Sequence, residues 1–236
     1  MRESPRVIAV GETHAQKNAP QVHSATRRFG EQLLPALKGR AKGIVLEFVV
    51  PAKRCEQKED EAVRERQEAV TKPQAETNQN EFVTLGFAAK KLDIFPLALV
   101  PTCEELGAVL KSGEGDIAAM LALIADLTFR ETSGFLDRGD PERAVITYGG
   151  LLHNDLVPRP GRESWTFGPK LKERTSGRYV EIDLIVPEFI KAEEPWTSLA
   201  WYPHYSADRD AAHAVLFQPT PGSYVLIFPR SVTKAP

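Results

Sequence analysis

Two glutamates and two histidines of this chain stand at the ends of short apolar runs. Glu12 and His14 follow "VIAVG", Glu47 lies in "IVLEF", and His153 follows "AVITYGGLL". Imidazole and carboxylate groups transfer protons near neutral pH, and the same groups are ligands for divalent metal ions. If these runs are neighbouring strands of one sheet, the four side chains form one site.

Three kinds of chemistry stay open for such a site. In the first, His14, His153 and Glu47 bind a divalent metal ion that acidifies a water molecule. In the second, an imidazole acts as a general base without metal, and a carboxylate fixes its tautomer. In the third, the crevice binds a ligand without reaction, and a histidine or Tyr148 meets a haem iron.

Each of these residues also has a plain structural explanation. A Glu or His that follows a strand can cap the next helix or bond its own loop, and Glu47 can form an ordinary ion pair. His23 and His213 are expected to be surface or packing residues, and His204 lies undecided in an aromatic segment. The joint position of four polar residues at three strand ends favours the site.

The elements that would position these residues alternate along the chain. Short β-branched runs at 7–10, 44–49, 94–99 and 145–148 alternate with helical patterns, which predicts parallel strands joined by crossover helices. The first helix is predicted to begin near Asn18 and Pro20 and to end before Gly39. Because parallel strands all end at the same edge of a sheet, ligands bind at that edge.

The rest of the chain completes the predicted fold. A helix that begins at Asp116 has an apolar stripe in which Glu131 follows Arg130, and two late apolar runs flank "PTPG". We expect one α/β domain over 1–236, with a mostly parallel sheet flanked by helices and a C-terminal antiparallel hairpin that makes the sheet mixed. The charged segment 56–80 is predicted to be a solvated helical insertion.

Composition excludes several function classes. The chain has 236 residues and a formal net charge of -2, which argues against a protein that binds nucleic-acid backbones. We therefore predict a small-molecule or peptide substrate and no nucleic acid. No apolar run is long enough to span a bilayer. Cys55 and Cys103 fit neither a disulfide framework nor a thiolate metal site, which favours a reducing, cytoplasmic compartment; an exported protein whose leader is absent would look the same.

Four short motifs resemble one known superfamily. "VIAVGETH", "IVLEF", "FRET" and "ITYGGLLHND" occur in this order, and the resemblance spans residues 7–155. They are similar to motifs of the superfamily that contains erythromycin esterase-like proteins, ChaN-like haem-binding proteins and Tiki/TraB metalloproteases. The resemblance implies an α/β fold with its site at the strand ends, and it places Glu12, His14, Glu47 and His153 at functional positions. It also implies an Arg-acidic pair at Arg130 and Glu131.

The leading hypothesis is a hydrolase that cleaves an ester or amide bond. His14 is expected to be the general base or a metal ligand, Glu12 and Glu47 to orient it or complete the coordination, and His153 to be a second base or ligand. Arg130 is expected to balance the carboxylates or hold an anionic intermediate.

The alternative is a protein that binds haem or another small ligand in the same crevice, and a third option is an inactive interaction module. The expected ligand contacts are Tyr148, Glu131, Asn154 and Asp155.

Overall fold

The computed structural model describes residues 4–17, 22–50, 55, 74–75, 77–112 and 117–231, and its centre is a seven-stranded sheet. The strands are β1 Val7–Glu12, β2 Ala41–Val49, β3 Phe95–Leu99, β4 Ala144–Gly150, β5 Tyr179–Ile185, β6 Val215–Thr220 and β7 Ser223–Ile227. Their order is β3-β2-β4-β1-β5-β7-β6, and all neighbours are parallel except the antiparallel pair of β6 and β7. The predicted mixed α/β fold is confirmed.

Helices cover both faces of the sheet. They are α1 Ala25–Arg28, which continues through a π turn at Phe29–Leu33 and a 3-10 turn at Leu34–Leu37, α2 Thr77–Lys91, α3 Cys103–Lys111, α4 Ile117–Leu136 and α5 Gly168–Arg174. Short 3-10 turns occur at Glu163–Trp165, Pro187–Phe189, Trp196–Ser198 and Tyr202–His204. Within the described ranges, no helix has the length and apolar character to cross a membrane.

The central strand β1 shows why its sequence is apolar throughout. Ile8 and Val10 pack toward α1 and α2, whereas Val7 and Ala9 pack toward α5 on the opposite face. A parallel strand buried on both faces has no solvent side and therefore needs no polar alternation. The polar residues of such a strand collect at its end, where Glu12 lies.

The first crossover is helical, as predicted, but the described helix begins later. Residues 18–21, where the predicted start lies, are outside the described residues. The side chain of Ser24 accepts the Arg27 N–H and caps α1, which satisfies one of the free amides of the first turn. The segment stops before Gly39, whose φ of 73° favours glycine.

The predicted charged insertion is partly wrong in its expected exposure. Residues 56–73 and 76 of this segment lie outside the described residues. At its end, Asn78 is only 4% exposed and donates to the Ala15 carbonyl, while Gln74 bridges to Gln16. Asn78 is buried because it supplies a hydrogen bond to the loop after β1, whereas Asn80 is exposed as predicted. Asn78 is therefore part of the frame around that loop.

The expectation that the two cysteines do not form a disulfide is wrong. Cys55 and Cys103 are disulfide-bonded, with Cα atoms 5.3 Å apart, although 48 positions separate them in sequence. They meet because β2 and β3 are adjacent and parallel, so the residues that follow both strands lie at the same edge. Disulfides persist mainly in oxidising compartments, so the cysteines do not support a reducing compartment.

Removing this disulfide is expected to destabilise the protein. A crosslink restricts the unfolded chain, and a disulfide that closes a loop of this length stabilises the folded state by about 2 to 4 kcal/mol. The double variant Cys55→Ser/Cys103→Ser should therefore unfold at lower denaturant concentration than the oxidised wild type. Wild type with reductant should match the variant. Alkylation of both thiols in unreduced, folded protein would contradict the assignment.

Candidate active site

Three adjacent strands end beside one another and bring the four predicted residues together. In the order β2-β4-β1, the strands place Glu47, the loop to His153, and Glu12 with His14 at one edge. A Cβ atom built on Gly150 would lie 3.1 Å from His14 Nε2 and 3.6 Å from Glu47 Oε2. The side chains of His14 and Glu47 therefore approach the same backbone position from two sides.

The first half of the site is a buried carboxylate that fixes an imidazole. Glu12 is 3% exposed, and its Oε2 accepts hydrogen bonds from Thr26 Oγ1 at 2.7 Å and from the Tyr148 hydroxyl at 2.8 Å. Its Oε1 lies 2.9 Å from His14 Nδ1. A carboxylate acceptor makes Nδ1 the protonated nitrogen, so Nε2 of His14 is left to act as an acceptor.

The second half is a carboxylate between a backbone amide and a second imidazole. Glu47 Oε2 accepts the Gly150 N–H at 2.5 Å, and its Oε1 lies 3.5 Å from His153 Nε2. The other ring nitrogen of His153 donates to the Trp165 carbonyl at 2.7 Å. That bond fixes the ring so that Nε2 faces Glu47.

Two glycines make this close packing possible. A Cβ atom on Gly149 would collide with the Glu47 carboxylate, and one on Gly11 would lie 2.6 Å from Asn154 Oδ1. Any other residue at these positions would push Glu47 or the loop of His153 off the sheet. Gly11 is therefore required because Asn154 lies close to β1, and Gly149 is required because Glu47 lies close to β4.

Electrostatic coupling shifts the pKa values of the site. Burial raises the pKa of Glu47, but the charge and hydrogen bond of His153, the charge of His14 and the Gly150 amide outweigh burial and lower the pKa to about 2. Burial lowers the pKa of His153, but the charge and hydrogen bond of Glu47 and the bond to the Trp165 carbonyl raise it above its ordinary value. Glu47 is therefore ionised near neutral pH.

The pKa of His14 is raised by the same kind of balance. Burial lowers it, but the hydrogen bond to Glu12 and the charges of Glu12 and Glu47 raise it above the ordinary histidine value. The positive charge of His14 lowers the pKa of His153, so the two imidazoles influence each other across the site.

Glu47 and His153 also line a small cavity on the α4 face of the sheet. Thr147 and Asn154 line it as well, and both are 1% exposed. Thr147 Oγ1 and Asn154 Oδ1 have no hydrogen-bond partner among the described residues. Buried polar atoms of this kind are normally satisfied by water. The cavity therefore offers a polar position for a water molecule beside the Glu47–His153 pair.

Arg130 forms the expected ion pair with Glu131, and it forms a second ion pair with Glu105. Arg130 donates to Glu105 at 2.6 Å, to Glu131 at 3.1 Å and to the Val100 carbonyl at 2.8 Å. Its partners therefore belong to the start of α3, to α4 and to the residue after β3. The described ion pairs of Arg130 do not include Glu12 or Glu47, and its expected role toward an anionic intermediate stays a prediction.

The other expected ligand contacts serve the structure of the site. Tyr148 is 1% exposed and donates to Glu12, and burial together with the charge of Glu12 raises its pKa well above the ordinary value. The amide of Asn154 donates to Asp183, and the Asp155 carboxylate accepts the Val157 N–H. These side chains hold the loop and the base in place.

Several contributing residues are absent from the sequence-based prediction. Thr26 is a buried residue of α1, and a hydroxyl at a buried helix position is a signal for a buried partner. Glu81 accepts the Ser24 hydroxyl, and burial raises its pKa while the charge of Glu12 raises it further. Glu181 and Asp183 occupy alternate positions of a strand and therefore lie on the same face. Two carboxyl groups on one face of an inner strand indicate a polar partner, and this pattern is visible in the sequence.

Some residues could serve a metal or a haem. The donors available to a divalent ion are the Nε2 atoms of His14 and His153 and the carboxylate of Glu47. In the described part of the chain, no three His, Cys, Asp or Glu side chains are grouped as a metal site requires. The hydroxyl of Tyr148 is already bound to Glu12. A metal or haem at this site stays a prediction.

Comparison with known proteins gives little similarity. No protein-family model matches the chain, and no curated protein matches it significantly. A solved structure titled "The structure of the type III effector HopBA1" is similar with a TM-score of 0.43 and 10% sequence identity, over 96% of this chain and 88% of that chain.

Replacing Gly149 by Ala is expected to dismantle the Glu47–His153 pair while the sheet remains folded. The added methyl group would occupy the space of the Glu47 carboxylate. We expect the ¹H–¹³Cε1 NMR signal of His153 to move to its position in Glu47→Gln. Gly86→Ala is the matched control, because its added Cβ meets the end of the flexible Leu46 side chain at 3.3 Å and lies in ordinary contact with Pro96 Cβ at 3.6 Å. An unchanged His153 signal in Gly149→Ala would refute the steric argument.

The Glu47→Gln variant is expected to lose stability in a pH-dependent manner. The pKa of Glu47 is lowered from 4.5 to about 2. Because the folded protein favours the ionised form of Glu47, this carboxylate stabilises the fold above pH 4.5, and the stabilisation is lost as the pH falls toward 2. Urea unfolding should show a deficit of about 3 kcal/mol at pH 6 that narrows below pH 4.5. The exposed control Glu173→Gln should stay within about 0.5 kcal/mol at all pH values.

Proposed function

We propose that this protein is a hydrolase that cleaves an ester or amide bond by attack of a water molecule activated by His14. The observation that carries the proposal is the buried Glu12 carboxylate. It binds Nδ1 of His14 at 2.9 Å and leaves Nε2 toward the strand edge. A fixed tautomer with a free Nε2 is the arrangement that a general base requires.

The reaction proceeds by proton transfer and addition. His14 Nε2 removes a proton from water, and the resulting hydroxide adds to the carbonyl carbon of the substrate. Glu12 stabilises the imidazolium that forms, because its carboxylate accepts the Nδ1 proton in a hydrogen bond. When the tetrahedral intermediate collapses, the bond to the leaving oxygen or nitrogen breaks, and the imidazolium returns its proton to the leaving group.

The pair of Glu47 and His153 supports this cycle electrostatically. The charge of Glu47 raises the pKa of His14, which strengthens it as a base and stabilises its protonated form. His153 in turn keeps Glu47 ionised and fixed beside the Gly150 amide. The cavity next to this pair is lined by Glu47, His153 and the unpaired Thr147 and Asn154 oxygens, which supports a bound water beside the Glu47–His153 pair.

The motif resemblance supports the same reading, since it assigns function to Glu12, His14, Glu47 and His153. The proposal makes no use of Arg130, whose guanidinium is held by Glu105 and the Val100 carbonyl. A metal-assisted version would employ the same imidazoles and Glu47, with the ion supplying acidity to the water. Assays with and without a chelator, together with elemental analysis, separate the two versions.

Replacing His14 by Ala tests the proposal. Hydrolysis of a panel of activated esters and peptide amides should fall about 100-fold or more, because the base is gone. Thermal unfolding should change little, since His14 is partly exposed at the strand edge. The exposed residue His23 provides the matched control, and His23→Ala should keep full activity. Full activity in His14→Ala, or no hydrolysis of any substrate by wild type, would contradict the proposal.

A further inference from the structure

Strand β5 carries a row of three polar side chains that all bond to the loop after β4. The Tyr179 hydroxyl donates to the Asn154 carbonyl at 2.6 Å, and the Asn154 side-chain amide donates to Asp183 Oδ1 at 3.1 Å. Glu181 Oε2 accepts the Leu156 N–H at 2.7 Å. We call Tyr179, Glu181 and Asp183 the β5 clamp. Its members alternate along the strand and therefore share one face.

The loop that this clamp holds contains His153. The His153 carbonyl accepts the Phe167 N–H at 2.9 Å and the Thr166 hydroxyl at 2.8 Å, and its ring donates to the Trp165 carbonyl. These bonds fix the loop from the side of residues 165–167. The β5 clamp fixes the next residue, Asn154, from the side of the sheet. His153 is thus held between two sets of hydrogen bonds.

Packing alone does not account for two acidic members of the clamp. Inner strands of a parallel sheet normally carry apolar side chains on both faces, and a buried carboxyl group destabilises the fold unless it is paired. Glu181 is 5% exposed, and its described hydrogen bonds come from the Leu156 amide and the Ser223 hydroxyl. The loop thus provides a main partner for these groups, which indicates that holding the loop is their role.

We propose that Asp183 and Glu181 are positioning residues that hold His153 against Glu47 through their hydrogen bonds to Asn154 and Leu156. The catalytic meaning of this inference rests on the proposed hydrolase function. Neither carboxyl group contacts His153 itself, so both act through the loop backbone. Loss of an acceptor frees the Asn154 side chain or the Leu156 amide, and His153 then leaves the position 3.5 Å from Glu47.

The charges around the clamp make it sensitive to protonation. Burial raises the pKa of Asp183 well above its ordinary value, and the charges of Glu181 and Asp155 raise it further. Burial raises the pKa of Glu181 to about 7, the charge of Asp155 adds to this, and Lys172 opposes it. Because the pKa of Glu181 is raised from 4.5 to about 7, its protonated form stabilises the fold fully below pH 4.5, and this contribution is lost as the pH rises from 4.5 to about 7.

The test compares variants that remove the acceptor with variants that keep it. Asp183→Ala removes the partner of the Asn154 amide, whereas Asp183→Asn keeps an oxygen that can accept the same bond without a charge. The His153 ¹H–¹³Cε1 NMR signal of full-length Asp183→Ala is expected to move toward its position in Glu47→Gln. In Asp183→Asn it should stay near the wild-type position. Glu181→Ala and Glu181→Gln form a second pair with the same expectation.

Activity gives a second readout. In the Ala variants, kcat for ester hydrolysis should fall about 10- to 100-fold with little change in KM. The reason is that displacing the Glu47–His153 pair by about an ångström slows the reaction without weakening substrate binding. The Asn and Gln variants should recover most of the rate at neutral pH. Thr102→Ala is the control for general destabilisation, since it removes only the capping box of α3 and should leave the His153 signal unchanged.

A His153 signal that is unchanged in folded Asp183→Ala and Glu181→Ala would overturn the inference. If these variants do not fold, Asn154→Ala removes the amide that donates to Asp183, and an unchanged His153 signal there overturns the inference for Asp183 equally. Failure of the proposed function has a different signature, because wild type would then hydrolyse no substrate while the His153 signal still reports the position of the ring.

Discussion

The site depends on one steric constraint, the absence of a side chain at Gly149. The Glu47 carboxylate lies in the space that a Cβ atom on Gly149 would fill, and it accepts the next amide of the strand, that of Gly150. From this position Glu47 reaches the ring of His153 and acts electrostatically on His14. A parallel sheet brings strand ends together in general, but only the glycine lets a side chain from β2 lie across β4.

Two imidazole–carboxylate pairs at one edge make each half of the site dependent on the other. An isolated buried carboxylate would take up a proton, whereas Glu47 stays ionised because both imidazoles act on it. The charge of Glu47 in turn raises the pKa of both rings, and the charge of His14 opposes protonation of His153. Removing one of these groups therefore has two effects: its own contact is lost, and the pKa values of the remaining groups change.

Sequence patterns predicted the strands because an inner parallel strand is apolar on both faces, as β1 is with Ile8 and Val7 on opposite sides. They predicted the meeting of Glu47 and His153 because parallel strands end at one edge. They did not predict the Cys55–Cys103 bond, because this bond requires β2 and β3 to be neighbours in the sheet. Hydrophobic periodicity predicts where strands lie in the sequence but does not determine their order in the sheet. The contacts of Arg130 with Glu105 and the Val100 carbonyl were missed for the same reason.

The β5 clamp illustrates how positional accuracy opposes stability in this fold. Tyr179 could hold the loop with a neutral hydroxyl alone, yet the strand carries Glu181 and Asp183 next to it, close to Asp155. A carboxylate accepts hydrogen bonds more strongly than a neutral group does, but a charge buried beside another destabilises the sheet, and the pKa values of Glu181 and Asp183 are raised for this reason. Such an arrangement persists where a loop must be held in one place. The loop it holds here carries His153, whose ring must stay close enough to Glu47 to keep that carboxylate ionised.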